Sequence, residues 1–141
     1  MKIHIFGPAG AGTTTLGKAL ATDNMPYFDV DDYRWEKTVI PFTTKLPNHV
    51  RQQNMLADIA PYKSWIIGGE LINWDDFIKD VFDLVVFVYV PQDIRIDRIK
   101  KREYERYGDK IYHEPLYMEK MAKFIAWIRK YEDDTFAGSS K

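Results

Sequence analysis

Eight consecutive residues, Gly7-Pro8-Ala9-Gly10-Ala11-Gly12-Thr13-Thr14, carry the clearest chemical signal in this sequence. Glycines at 7, 10 and 12 let successive backbone N–H groups turn inward around an anion with no Cβ in the way. A strand pattern, Lys2–Phe6, enters the run, and a helical pattern, Thr13–Thr22, leaves it. The helix adds its N-terminal N–H groups and positive dipole end to the same anion. The spacing fits the phosphate-binding pattern G-x-x-x-x-G-K-[S/T] at every defined position but one: Thr13 stands where lysine belongs. Gly7, Pro8, Ala9, Gly10, Ala11, Gly12, Thr13, Thr14 and Thr15 are the expected nucleotide contacts, and Thr14 offers its hydroxyl to magnesium. A glycine-rich turn without a ligand is the plain alternative, disfavoured by the order strand, loop, helix.

A lysine in this loop would give a full positive charge to the β- and γ-phosphates, and threonine cannot replace it. Either catalysis is lost and binding alone remains, or a cation arrives from elsewhere. Lys45, in Pro41-Phe42-Thr43-Thr44-Lys45, is the preferred candidate, whereas Lys18 is expected to point away along the first helix. Downstream, Phe28-Asp29-Val30-Asp31-Asp32-Tyr33-Arg34-Trp35 follows a short strand pattern, Tyr27–Val30. If that stretch is extended, Asp29 and Asp31 share one side. One carboxylate can hold magnesium through water, and the other can take the proton of an attacking hydroxyl. A solvated acidic turn capping a helix is the competing reading. Arg34 and Trp35 fit an acceptor pocket or a packing role equally well. Glu70 is a second candidate beside the magnesium, because no acid follows the fourth apolar run. Arg95, Arg98, Arg102 and Arg106 are spaced 3, 4 and 4 apart and so align on one helix face. That strip can supply charge to phosphates; its plainer reading is a solvated helix laced with ion pairs. His4, His49 and His113 have no spacing that points to a metal.

These residues need a frame to position them. The chain has 141 residues, enough for one domain, with 45% hydrophobic and 29% charged residues. A net charge of −1 gives no general pull toward nucleic acid or an anionic membrane, and the lack of cysteine excludes disulfides and thiolate metal sites. No apolar run nears the ~20 residues that span a bilayer, so a cytoplasmic location is expected. Short apolar runs alternate with helical patterns: strands at Trp65–Ile67 and Leu84–Val90, helices at Asn48–Ala60, Gln92–Tyr107 and Leu116–Tyr131, and a frayed tail at Ala137–Ser140. Leu84–Val90, apolar throughout, is expected to be buried on both faces. Asn48 is expected to cap its helix. The alternation predicts a three-layer, open, parallel α/β sheet.

The glycine loop, Asp29-x-Asp31, Gly68-Gly69 after the third strand and the arginine-rich helix together resemble the adenylate kinase and shikimate kinase group of P-loop kinases. The run G-x-x-G-x-G-T-T-T-L-G, with F-D-x-D-D-Y-x-W and P-F-T-T-K, resembles bacterial adenylate kinase-like proteins. The likeness runs from Met1 to about Tyr131. It implies strand order 2-3-1-4-5, the fifth strand apparently absent here, and ATP (or GTP) with Mg2+ as phosphoryl donor. It also implies a lid-like region at 92–115 whose Arg98 and Arg102 close on the phosphates. Gly68, Gly69, Glu70, Asn73 and Arg34 would then face the acceptor, with Trp74 continuing the wall. The expected activity is phosphoryl transfer from ATP to a small acceptor by a monomer or homodimer without nucleic-acid or membrane partners. The alternative is a nucleotide-binding module with little or no catalysis.

Overall fold

The computed structural model describes residues 1–72, 74, 75, 78 and 80–133. They divide into two compact units: Met1–Phe6 with Thr13–Phe87, and Gly7–Gly12 with the chain from Val88 onward.

The first unit is built on a four-stranded, all-parallel sheet of order β2-β3-β1-β4. Its strands are β1 (Lys2–Phe6), β2 (Tyr27–Asp29), β3 (Trp65–Gly68) and β4 (Leu84–Phe87). Ile3 and Ile5 of β1 alternate inward, while all four residues of β3 are buried, as a strand covered on both faces requires. The register sets Ile5 opposite Gly68 and Asp29 opposite Gly68, so the ends of three strands lie level. Helices α1 (Thr13–Leu20), α2 (Val30–Arg34) and α3 (Asn48–Ile59) complete the unit. Its core gathers Val30, Met55, Ile59, Trp65, Ile67 and Trp74, each at most 7% exposed.

The second unit holds the glycine loop together with α4 (Gln92–Tyr107), α5 (Lys110–His113), α6 (Pro115–Arg129) and a closing 3-10 turn, Lys130–Glu132. Pro115 opens α6, where its missing N–H costs nothing. Ile96, Ile99 and Ile128 form the core of this unit, with Ala9, Phe124 and Ile125 packed against it.

Three expectations need correction. The apolar run from Leu84 forms a strand only to Phe87, and it is not buried: Leu84 is 47% exposed, Val85 54% and Phe87 43%. The cause is its place at the edge of the sheet, paired with β1 alone. Asp29 and Asp31 do not share an extended stretch, because α2 begins at Val30. The Asp29 carboxylate accepts from the Asp31 N–H (3.0 Å) and so caps that helix. Asn48 is the first residue of α3 rather than its cap; Pro47 takes that position. The frayed tail read at Ala137–Ser140 lies outside the described residues.

Candidate functional site: a glycine loop and a hydroxyl-carboxylate pair

The loop has the backbone its glycines predict. Gly10 and Gly12 sit at φ +82° and +101°, where a side chain would be strained, and the Ala11 N–H closes a turn onto the Pro8 carbonyl at 3.0 Å. Gly7 approaches the Val88 carbonyl so closely that a Cβ would collide with it. Two arginines of α4 grip this loop in different ways. Arg95 is wholly buried; it donates to the Val90 carbonyl (2.8 Å) and the Ala9 carbonyl (3.3 Å), and pairs with Glu132 of the 3-10 turn at 2.9 Å. Arg98 reaches the carbonyls of Gly10 and Ala11 at 3.4 and 3.5 Å. The other two arginines of the strip share one acid: Arg102 and Arg106 stand 3.6 and 3.4 Å from Glu103.

In the first unit, β2 ends where α1 can meet it. The Thr14 hydroxyl donates to Asp29 Oδ2 at 3.0 Å, and the Tyr27 phenol donates to the same oxygen at 3.1 Å. With its proton committed to Asp29, the Thr14 oxygen keeps its lone pairs for a cation. That suits magnesium, which takes few protein ligands and completes its shell with phosphate and water. Among the described residues no group of three or more His, Asp or Glu side chains forms a metal cage. Thr15 is exposed on α1. Asp31 is exposed as a whole residue, yet its carboxyl has a raised pKa: neighbouring protein partly desolvates it, and Asp29 and Asp32 repel its charge, against the pull of Arg34 and a hydrogen bond from Trp35. Lys18 is exposed on α1, and its charge acts on Asp32. Lys45 is exposed, with its ammonium 5.6 Å from the centre of the Trp35 ring.

Beyond β3, Gly69 adopts φ +111°. Its N–H donates to the Ile5 carbonyl (2.9 Å), and its carbonyl accepts from His4 Nε2 (2.8 Å). Burial lowers the pKa of His4, which keeps the ring neutral at pH 7. Glu70 is engaged by Arg34, which donates to its backbone carbonyl and lies 3.3 Å from its carboxylate. Arg51 of α3 is buried, its guanidinium 5.2 Å from the Trp74 ring. Its pKa is lowered by desolvation and by the like charge of Arg34. Two guanidiniums, Arg34 and Arg51, thus stand near Glu70, with the Asp75 charge also acting on Arg51. Asn73 lies outside the described residues. Arg51 escaped the sequence reading, yet it left a signal: Arg51, Met55 and Ile59 are spaced by four, which puts an arginine in the apolar stripe of a helix. Tyr27 left none. A recess of about 450 Å3 beside α2, lined by Asp32, Trp35, Glu36 and Asp58 among others, contains none of the loop residues.

A glycine loop opening a helix on a parallel sheet, with a helix-borne hydroxyl bonded to a strand-end aspartate, defines a P-loop nucleotide-binding fold. Comparison with known proteins narrows the class. A family model described as AAA domain matches residues 3–121. Uncharacterized protein YqaC of Bacillus subtilis (strain 168) is 37% identical over 133 residues, covering 93% of this chain and 72% of that protein. A shikimate kinase of Bacteroides thetaiotaomicron is 32% identical over 117 residues, covering 75% of this chain and 67% of that protein. A crystal structure of shikimate kinase from the same species aligns with 99% of this chain and 84% of its own, with a TM-score of 0.57 and 23% identity, a likeness of fold. The chain belongs to the AAA domain family and to the P-loop kinases of the adenylate kinase and shikimate kinase-like group. Among the described residues no helix is long and apolar enough to cross a membrane.

Proposed function

We propose that this chain is a magnesium-dependent small-molecule kinase that moves the terminal phosphoryl group of ATP to a hydroxyl on a small anionic acceptor. The observation that carries the reading is the Thr14–Asp29 hydrogen bond, which presents a hydroxyl oxygen to a cation directly after a phosphate-binding loop. The loop N–H groups of Gly7–Gly12 would hold the donor phosphates. Bound magnesium would neutralise charge on them. Arg98, which reaches two loop carbonyls from the exposed side of α4, would supply the charge that Thr13 lacks, since Arg95 is buried and paired; Lys45, engaged over Trp35, is the second candidate. Asp31, with its raised pKa, would accept the proton of the attacking hydroxyl. Arg34 and Arg51, beside Gly69 and Glu70, would bind the acceptor's carboxylate or phosphate. The like charge that Arg51 meets from Arg34 would be relieved by a bound anion. Shikimate, hydroxy acids and nucleoside monophosphates are the acceptors to screen.

Titration calorimetry with ATP and GTP analogues, with and without magnesium, tests the first half of this reading. A coupled ADP-release assay over the acceptor panel tests the second. Magnesium-dependent binding followed by acceptor-dependent turnover is the expected result. Absence of nucleotide binding at millimolar concentration would overturn it. The Thr13 substitution favours one alternative, a binding module that holds nucleotide without transfer. Its signature would be magnesium-dependent binding with no turnover on any acceptor.

A further inference from the structure

We infer that Tyr27 is a positioning residue for magnesium: its phenol holds the Asp29 carboxylate in the orientation that turns the Thr14 hydroxyl toward the cation. The inference rests on the magnesium-nucleotide reading above. Among the described residues the Asp29 carboxylate accepts three hydrogen bonds. The Asp31 N–H takes Oδ1, and the Thr14 hydroxyl and the Tyr27 phenol share Oδ2. A strand-end aspartate bonded only to Thr14 and one amide could rotate about its side-chain torsions. The phenol removes that freedom, because the ring that carries it is itself fixed.

The fixing is visible at two glycines. A Cβ on Gly17 of α1 would collide with the Tyr27 ring edge, and a Cβ on Gly68 of β3 would collide with the phenol oxygen and ring. The ring therefore occupies the space of two missing side chains, one on each flanking element. Thr14 lies one helical turn before Gly17, so the same close approach of α1 to the ring brings its hydroxyl to Asp29 and within reach of the phenol. At neutral pH a phenol is protonated, hence a donor. A phenylalanine would fill the same space, so packing alone does not account for the hydroxyl. Groups that orient a metal ligand commonly affect metal affinity by 10- to 100-fold; the phenol acts one step further out.

Tyr27→Phe keeps the ring and removes the donor. The measurement is calorimetric binding of an ATP analogue across a magnesium series, in the wild type and the variant. The magnesium concentration for half-maximal binding should rise by about 5-fold. Magnesium-free nucleotide affinity should stay within about 2-fold of the wild type, because the loop is untouched. An unchanged magnesium dependence in Tyr27→Phe would overturn the assignment. A second arm repeats the substitution in an Asp29→Ala background, where the phenol has no carboxylate to hold and the change should be silent. An equal effect in both backgrounds would also overturn it, as it would mark a packing role. Failure of the parent reading looks different: nucleotide binding in the wild type would then be insensitive to magnesium before any variant is made.

Discussion

At the scale of single residues, the question is which group supplies the charge that Thr13 does not. Arg98 spans to two loop carbonyls, while Lys45 rests over Trp35. An arginine stabilising the charge of a transferring phosphoryl group commonly contributes several orders of magnitude to turnover. Arg98→Ala should therefore lower kcat by about 100-fold or more, and Lys45→Ala by less than about 5-fold, in the acceptor-dependent assay. Thr13→Lys should recover part of the Arg98→Ala loss, since a lysine there reaches the same phosphates. Equal losses for Arg98→Ala and Lys45→Ala would remove the distinction. The second residue-scale prediction concerns Asp31. Its folded-state pKa is raised, so the folded chain holds that proton more tightly than the unfolded chain does. Stability is therefore lost as pH rises through the window from about 4, the ordinary aspartate value, to the raised folded value. Asp31→Asn should raise the melting temperature at pH 7 relative to the wild type, and the gain should vanish near pH 3. The same variant should lose about 100-fold in kcat as the general base is removed. Melting and turnover that move in opposite directions would mark Asp31 as a functional compromise. A fall in both would mark it as structural.

At the scale of elements, the legible parts were those whose local pattern and tertiary role agree. β1 and α4 occupy the spans read from their periodicity, Lys2–Phe6 and Gln92–Tyr107, because alternation and helical spacing are strong over those lengths. The glycine loop was legible because only glycine takes the φ that Gly10 and Gly12 adopt. The helix α2 was not. It is five residues long, and its start is set by one side chain, Asp29, whose competing use as a strand residue has the same sequence signature. The arginine strip was half legible: periodicity gives the face but not what covers it. Arg95 proves to be a buried tie between α4, the loop and the 3-10 turn. That tie carries a prediction of its own. Glu132→Ala leaves the buried Arg95 guanidinium with two backbone carbonyls and the Tyr131 ring but no counter-charge. Removing one partner of a buried pair costs about 3–5 kcal/mol, and the partial exposure of Glu132 (29%) brings the expectation down to about 2 kcal/mol. Denaturant unfolding would read it. Lys123, paired with Glu119 on open α6, should be dispensable at that resolution by comparison.

At the scale of the whole molecule, ligand binding and folding are linked. A nucleotide bound only by the folded chain stabilises it by RT ln(1 + [L]/Kd), about 2.7 kcal/mol when the ligand is at 100 times its Kd. For a chain of 141 residues that shift corresponds to a rise in Tm of roughly 8 °C. The assigned parts predict how the rise divides. Loop N–H groups meet phosphate oxygens without a metal, so ATP alone should raise Tm by a small amount. The Thr14 hydroxyl, oriented by Asp29, contributes only when magnesium is present, so most of the rise should need the cation. In Asp29→Ala the magnesium-dependent part should shrink, with the Thr14 hydroxyl left unoriented, and the metal-free part should remain. A thermal scan with ATP, with magnesium alone and with both separates these contributions without any acceptor being known. A rise of the same size with and without magnesium would leave the loop as a phosphate site and remove Thr14 and Asp29 from the nucleotide's chemistry.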